Sequence, residues 1–401
     1  MRRTLLRCGL MEMALLNKLF AQHAAPFREA HVRGFLEVEL QRHRIPHFVD
    51  PVGNLVLGAD SESAYKRKVS KRSREPLRFF IAHMDHPGFH GVRWLDKKRL
   101  AVKWFGGSPT KDLEGAKVWL ADLHTVFGSA SLRRVKLLKS GRAIDTAEVV
   151  VGPQLAKLPL PDAKSLYGGL SFRAPVWSVG QRLYTKAADD LCGVYCILSL
   201  AKHLYRAKKA HENFLGILTR AEEVGFIGTI GHLELGWLRD PGRALLNVNL
   251  EASRTLPGAE IGKGPIVRLG DRMTVFDPGG IRVMTDLSNK ILKGKYQRRI
   301  MDGGACEASA VTAYGMRAIG LSVPLGNYHN QNFEGGPDSR AALGPAPEFV
   351  DKRDLQGMLK LCVALMQSGL GWRAPWGNTA RALKQSLRTY RAEMRGGFSV
   401  E

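Results

Sequence analysis

With 401 residues, 44% of them hydrophobic and 24% charged, the chain can bury a large core and is long enough for two domains, which argues against disorder or low complexity. Lysine plus arginine (60) outnumber aspartate plus glutamate (37), and the net charge of +23 points to contact with nucleic acid, an anionic membrane or acidic substrates without bearing on fold. Five cysteines (Cys8, Cys192, Cys196, Cys306, Cys362) are too few and too irregularly placed for a disulfide framework or a CxxC zinc site, and fit a reducing cytoplasm.

The N-terminus, MRRTLLRCGLMEMALLNKLF, opens with basic residues, but Glu12 interrupts its apolar run and no small-residue cleavage site follows. It reads as the start of an amphipathic helix. No apolar stretch reaches the ~18 residues that a membrane span needs. From Met11 to His43, apolar spacing through Leu15, Leu16, Leu19 and Phe20, then Val32, Phe35, Leu36 and Val38, predicts two helices broken near Pro26. Two short strands follow. His47 to Leu57 carries a turn at Asp50 to Asn54, and Leu77 to His83 is an almost unbroken apolar run of the kind buried on both faces of a sheet. Between them Tyr65 to Arg78 (YKRKVSKRSREPLR) reads as a basic solvated loop, with an anionic docking surface as the alternative.

From Gly91 to about Trp177 short β-like runs (RLAVKWF, AKVWLADL, RVKLLK, AEVVVG) alternate with Gly, Pro and charged turns, which predicts a small β-rich domain inserted in the main one. After Lys186 a helix (CGVYCILSLAKHLYRA), a strand (FLGILTR), a helix-like segment and a strand (RALLNVNLEAS) give the texture of a βαβ sheet. Val350 to Met366 is an amphipathic helix. Residues 371–401 form an appendage, basic from Arg381 to Arg395.

In open α/β sheets ligands bind beyond the carboxyl ends of strands, so polar residues that close apolar runs are the ones to examine. His83 and Asp85 in FIAHMDHPG share a strand face at i and i+2, which lets His83 bind a cation while Asp85 supports it. In TKAADDLCG the adjacent Asp189 and Asp190 either repel until a cation intervenes or serve as an N-cap pair. Glu222 and Glu223 in ILTRAEEVGFIG can address one site only if the chain turns there, as Gly225 and Gly228 suggest. One could then ligate a metal and the other take a proton from its water. Glu251 and His329 each follow an apolar run. Jointly these residues offer the oxygen and nitrogen ligands that zinc, cobalt or manganese accept, with no cysteine among them. Cys192 and Cys306, beside these segments, read as small buried side chains.

The segments AHMDHPG, AADDLCG, AEEVG, NLEAS and NYHN, in that order, resemble the cation-dependent aminopeptidases that include glutamyl, deblocking and tetrahedral aminopeptidases. DPVGNLVLG and EIGKGPIVRLGDRM extend the likeness, which covers roughly residues 11–370. The resemblance implies a zinc-exopeptidase type of α/β fold, with a mixed central sheet flanked by helices. Its catalytic domain would comprise residues 1–90 and 178–370, and residues 91–177 would be the inserted β-rich domain. It also implies two divalent metal ions (Zn or Co, or Mn): Asp189 bridges both, His83 and Glu251 complete one, and Glu223 and His329 complete the other. Glu222 would be the general base, Asp85 would orient His83, and a cis peptide would follow Asp189. Relatives assemble as homo-oligomers through the inserted domain.

The interval from His83 to Asp189 is longer than that from Glu251 to His329. Aminopeptidases of this kind carry their insertion in the first, whereas aminoacylase and carboxypeptidase relatives carry it in the second. The expected activity is therefore removal of N-terminal residues from short peptides. Several positions depart from the family pattern: Glu251 and Glu307 stand where Asp is usual, Leu191 where Arg often follows, and NYHN for RYxHS. Glu at position 251 is commoner among carboxypeptidase and deacylase relatives, which supplies the alternative of a deacylase or carboxypeptidase-like amidohydrolase on the same metals. A further alternative, from the net charge, is an inactive binding protein acting through its basic surface.

Overall fold

The computed structural model describes residues 11–156, 159–208 and 211–396. Cys8 and the first ten residues of the N-terminal reading lie outside them. An eight-stranded sheet forms the centre, in the order His47–Val49, Leu55–Leu57, Phe214–Thr219, Leu77–His83, Leu245–Arg254, Ala318–Leu325, Ile266–Asp271, Gln297–Met301. Its four middle strands are parallel to one another, and the flanking pairs add antiparallel contacts, so the sheet is mixed. Leu77–His83, Phe214–Thr219 and Ala318–Leu325 are buried at every residue, as strands covered on both faces must be.

Alternation of side chains splits each middle strand between two cores. Phe80 and Ala82 pack into one cluster with helices Met13–Phe20, Leu191–Ala207, Pro278–Leu292 and Lys352–Leu365. Phe79 and Ile81 face the other, under Glu62–Ser70, Ile227–Glu234 and Glu307–Ala313. The result is the helix–sheet–helix sandwich expected of this fold class. The break near Pro26 separates Met13–Phe20 from a second helix, Ala30–Arg42.

The basic stretch after Asp60 departs from the expected loop, because Glu62–Ser70 is a helix. Ser61 caps it, accepting a hydrogen bond from the Ala64 N–H at 3.3 Å. Tyr65 and Val69, four residues apart, are buried, and the Tyr65 hydroxyl meets His232 Nε2 at 2.8 Å. Two apolar side chains at i and i+4 are enough to seat a helix whose remaining residues are mostly charged or small and polar.

From the end of Leu77–His83 the chain passes into a closed barrel of six strands, Gly88–Trp94, Arg99–Phe105, Ile144–Val151, Val126–Leu137, Lys117–Ala121 and Tyr167–Leu170, with its own hydrophobic core. It returns through Val176–Val179 and Arg182–Thr185, which pair with Glu348–Asp351 in a separate three-stranded sheet. Helix Gly377–Thr389 projects from the body with no buried residue. Among the described residues no helix is long and apolar enough to cross a membrane.

Closure of the barrel depends on glycines where strands meet. A Cβ on Gly168 would lie 2.2 Å from the Trp119 carbonyl and 2.3 Å from Phe89 Cζ. Gly168→Ala should therefore overpack this corner and lower stability by about 3 kcal/mol, measurable as a fall in the urea midpoint at an unchanged slope.

Candidate metal centre

The expected site residues converge where the parallel strands of the sheet separate. Leu245–Arg254 pairs with Leu77–His83 only as far as Asn249 opposite Ile81, but with Ala318–Leu325 up to Arg254 opposite Leu325. Glu251 was expected to close its strand. It stands three residues inside instead, because pairing persists on one side after it has ended on the other. The fork so formed leaves room for His83, which ends its own strand.

The imidazole of His83 is buried, with Nε2 3.3 Å from Asp189 Oδ1 and 3.8 Å from Glu222 Oε2. Its Nδ1 lies 3.1 Å from the Asp85 main-chain carbonyl and 3.7 Å from the Asp85 carboxylate. The carbonyl therefore orients the ring. The carboxylate acts elsewhere, accepting the N–H groups of Glu222 at 3.0 Å and Glu223 at 3.2 Å. That contact fixes the turn in which both glutamates sit. Ala221 and Gly225 flank the turn at φ +51° and +112°, the left-handed conformations that swing two adjacent carboxylates toward one place.

Asp189 and Asp190 divide the two roles read from sequence. Asp190 caps helix Leu191–Ala207, accepting the Gly193 N–H at 2.9 Å, whereas Asp189 turns inward. The peptide between them is cis, as the resemblance implied. His329 lies in a 3₁₀ turn after strand Ala318–Leu325, with Nε2 3.0 Å from Glu223 Oε2 and 3.9 Å from Asp189 Oδ2. Its ring stacks on Tyr328 at 3.7 Å. On its other side it presses on Gly107, where a Cβ would come within 1.9 Å of His329 Nδ1. Only glycine lets the loop after barrel strand Arg99–Phe105 approach the site so closely.

Three buried residues complete the arrangement without having been singled out. Glu348 accepts the N–H groups of Ala188 at 2.7 Å and Asp189 at 3.1 Å through one oxygen, and that of His329 at 2.9 Å through the other. It thereby joins two turns that are remote in sequence. His86 spans the Asp189 carbonyl at 2.8 Å and Asn330 Oδ1 at 3.2 Å. Arg268 lines the pocket beside Glu251. The first was detectable as an acid inside the apolar run PAPEFVD, and the second as an extra histidine in AHMDHPG. Glu307, noted as a departure from pattern, accepts Thr219, Thr229 and Asn249 beneath the site.

Electrostatics follow from this crowding. Burial, reinforced by Glu223, Glu307 and Asp85 against the pull of His83, pushes Glu222 well above the usual carboxylate range. Burial and Asp189 raise Glu251 likewise. Burial also works to raise Glu223, but the facing His329 outweighs it and holds the group at about 2. For His83, burial favours the neutral ring, yet Glu222, Asp189 and Asp85 together drive it well above its ordinary value.

The donor set fits divalent cations. Oδ1 of Asp189 and Oε1 of Glu223 are buried and accept no hydrogen bond, which is costly for anionic oxygens unless something positive binds them. Ligand atoms of His83, Asp189 and Glu223 lie within 4.8 Å of one another, as do those of His83, Glu222 and Glu251. His329 joins through Glu223. Cys192, Cys196, Cys306 and Cys362 are buried and free, and none belongs to these groups.

A mixed sheet with buried carboxylates and imidazoles at the ends of its parallel strands defines an α/β metallohydrolase of the exopeptidase type. The family model of the M42 glutamyl aminopeptidases matches residues 64–333, and the chain belongs to that family, as a metal-dependent hydrolase acting on peptide bonds. Solved structures share the fold. The aminopeptidase from the archaeon Desulfurococcus kamchatkensis is 20% identical with a TM-score of 0.69, the match covering 92% of this chain and 97% of that one. The TET1 peptidase of Pyrococcus horikoshii, described as assembling into a tetrahedron or a large octahedral shell, is 19% identical with a TM-score of 0.65 over 89% and 99%.

Removing Glu348 should be felt in metal binding although its carboxylate is taken up by main-chain N–H groups. Glu348→Ala frees the turns that carry Asp189 and His329. Cation affinity should fall about 10- to 100-fold, as read by competition with a chromogenic chelator.

Proposed function

We propose that this chain is an aminopeptidase that removes N-terminal residues from peptides. Two divalent cations would be held by His83, Asp189, Glu223, Glu251 and His329, and Glu222 would act as general base. The observation that carries the reading is that Asp189 Oδ1 and Glu223 Oε1 are buried and accept no hydrogen bond, in a cluster where His83 Nε2 lies 3.3 Å from Asp189 Oδ1 and His329 Nε2 lies 3.0 Å from the other Glu223 oxygen. Asp189, with one oxygen 3.3 Å from His83 and the other 3.9 Å from His329, suits a bridging ligand. When bound, the cations lower the pKa of a water and polarise the scissile carbonyl. Zinc, cobalt and manganese all accept such ligands.

The remaining chemistry falls to protein groups. Glu222, raised by burial and by its acidic neighbours, accepts the proton of the attacking water and delivers it to the leaving amine as the C–N bond breaks. Asp85 holds the Glu222 main chain so that its carboxylate stays on the His83 side of the cluster. His83 is kept in register by the Asp85 carbonyl, and His329 by Gly107, Tyr328 and the Glu348 carboxylate. Homo-oligomeric assembly is part of this reading, supported by the shells described for the TET1 peptidase.

A deacylase acting on N-acyl amino acids is the second reading, supported by Glu251 and by the guanidinium of Arg268 in the same pocket. A requirement for a free α-amine separates the two.

Glu222→Gln keeps the side chain's size and removes its ability to take a proton. Turnover of aminoacyl anilides should fall about 100- to 10,000-fold, while metal content by elemental analysis stays that of the parent. A variant with substantial activity would contradict the role of Glu222.

A further inference from the structure

Helix Gly377–Thr389 leaves the body after Trp372, which is buried and lies under the Arg78 guanidinium, with Cζ 5.9 Å from the ring centre. Beyond this anchored base every residue from Ala380 to Met394 is exposed. Every other described helix of seven residues or more buries part of one face. A helix of 13 residues that stands free is marginal in water, because most helical stability in proteins comes from packing an amphipathic face.

The exposed residues are ordered in rows. Ala380, Leu383, Leu387, Tyr390 and Met394 recur at alternating steps of three and four, the spacing of a coiled-coil seam. Leu383 and Leu387 are 66% and 54% exposed, and Tyr390 and Met394 are 61% exposed, so the seam lies open along its length. The main chain carries it across Tyr390 into the short helix Arg391–Gly396: the Tyr390 N–H donates to the Ser386 carbonyl at 3.1 Å, and the Met394 N–H to the Tyr390 carbonyl at 3.3 Å. One residue after each seam position as far as Tyr390 stands a cation: Arg381, Lys384, Arg388 and Arg391. One residue before each stands an uncharged side chain: Thr379, Ala382, Ser386 and Thr389. Positive charge therefore runs along one flank of the seam only, and no carboxylate of the described residues pairs with any of the four cations.

We propose that this face docks an acidic amphipathic helix of another protein, one that presents apolar residues at the same spacing and carboxylates along one flank. Charge and width decide between occupants. A second copy of the helix brings no acids to the cationic row: antiparallel pairing would set Lys384 against Arg391, and parallel pairing would set them against Thr379 and Ser386. A lipid surface takes up a broad apolar face, whereas this one is a single row with Thr379, Ser386 and Thr389 on its uncharged flank. The other described helices have their apolar faces buried, which leaves the role to another chain. The net charge of +23 attracts an acidic partner before the seams meet.

The test uses the full-length protein and fluorescently labelled helical peptides with leucine at the seam positions and either glutamate or lysine along the flanks. The glutamate peptide should bind about tenfold more tightly than the lysine peptide, the sum of a few exposed ion pairs, and its affinity should fall as salt is raised. Leu383→Asp combined with Leu387→Asp should weaken that binding about tenfold. Lys384→Glu combined with Arg391→Glu should reverse the preference between the peptides, and Gln385→Asp, on the opposite face, should leave it in place. All five positions are exposed, so the unfolding midpoint and cation binding of each variant should match the parent. Absence of binding, equal affinity for the two peptides, or binding that survives the paired leucine substitutions would overturn the proposal. Co-sedimentation with phosphatidylserine vesicles and sedimentation of the protein alone probe the other occupants. Vesicle binding or self-association that the leucine substitutions abolish would assign the face to lipid or to a second copy, and would overturn the proposal as well.

Discussion

Anionic oxygens crowd into one buried place in this protein, and most of the fold around that place serves to keep them there. Asp85, Asp189, Asp190, Glu222, Glu251, Glu307 and Glu348 are all buried, with Glu223 among them, and the neighbouring positive groups are two imidazoles and one arginine. In a medium of low dielectric such a cluster repels itself strongly. Main-chain N–H groups stabilise some members: Asp85 takes two, Glu348 three, and Asp190 the cap of a helix. Oδ1 of Asp189 and Oε1 of Glu223 are left without this help. In the proposed function, bound cations would offset the difference, so that metal would serve the packing of the site as well as its chemistry.

The sheet prepares the site by coming apart. Where Leu245–Arg254 parts from Leu77–His83 after Asn249 and Ile81, the crevice expected at strand ends opens; His83 and Glu251 reach it from the two strands themselves, and Asp189, Glu223 and His329 from three separate connections. The barrel contributes too. Gly106 and Gly107 bring its loop against Glu223 and His329, so the inserted unit braces two donors even though its own hydrophobic core is separate.

Much of this was legible in the chain. The five proposed donors and Glu222 each lie at or near the end of an apolar run, and such a run closing on an acid or an imidazole is visible without coordinates. Glu251 was the partial exception, since its strand continues on one side only, a property of pairing that no local pattern encodes. The supporting residues were hidden for a related reason. Glu348 and the Asp85 carboxylate act through main-chain N–H groups, which nearly every residue possesses, so their partners leave no trace in residue type. Arg268 resembles any other strand residue until its burial beside Glu251 is seen. The helix at Glu62–Ser70 was masked by its charge, because only Tyr65 and Val69 mark the buried face.

Anomalous diffraction from crystals of the full-length protein reconstituted with cobalt or zinc, collected at the metal edge, tests the account most directly. It predicts two peaks, both in contact with Asp189, one reached by His83 and Glu251 and the other by Glu223 and His329. A protein that crystallises with this carboxylate cluster free of metal at saturating cation, or with its ions bound elsewhere, would contradict it.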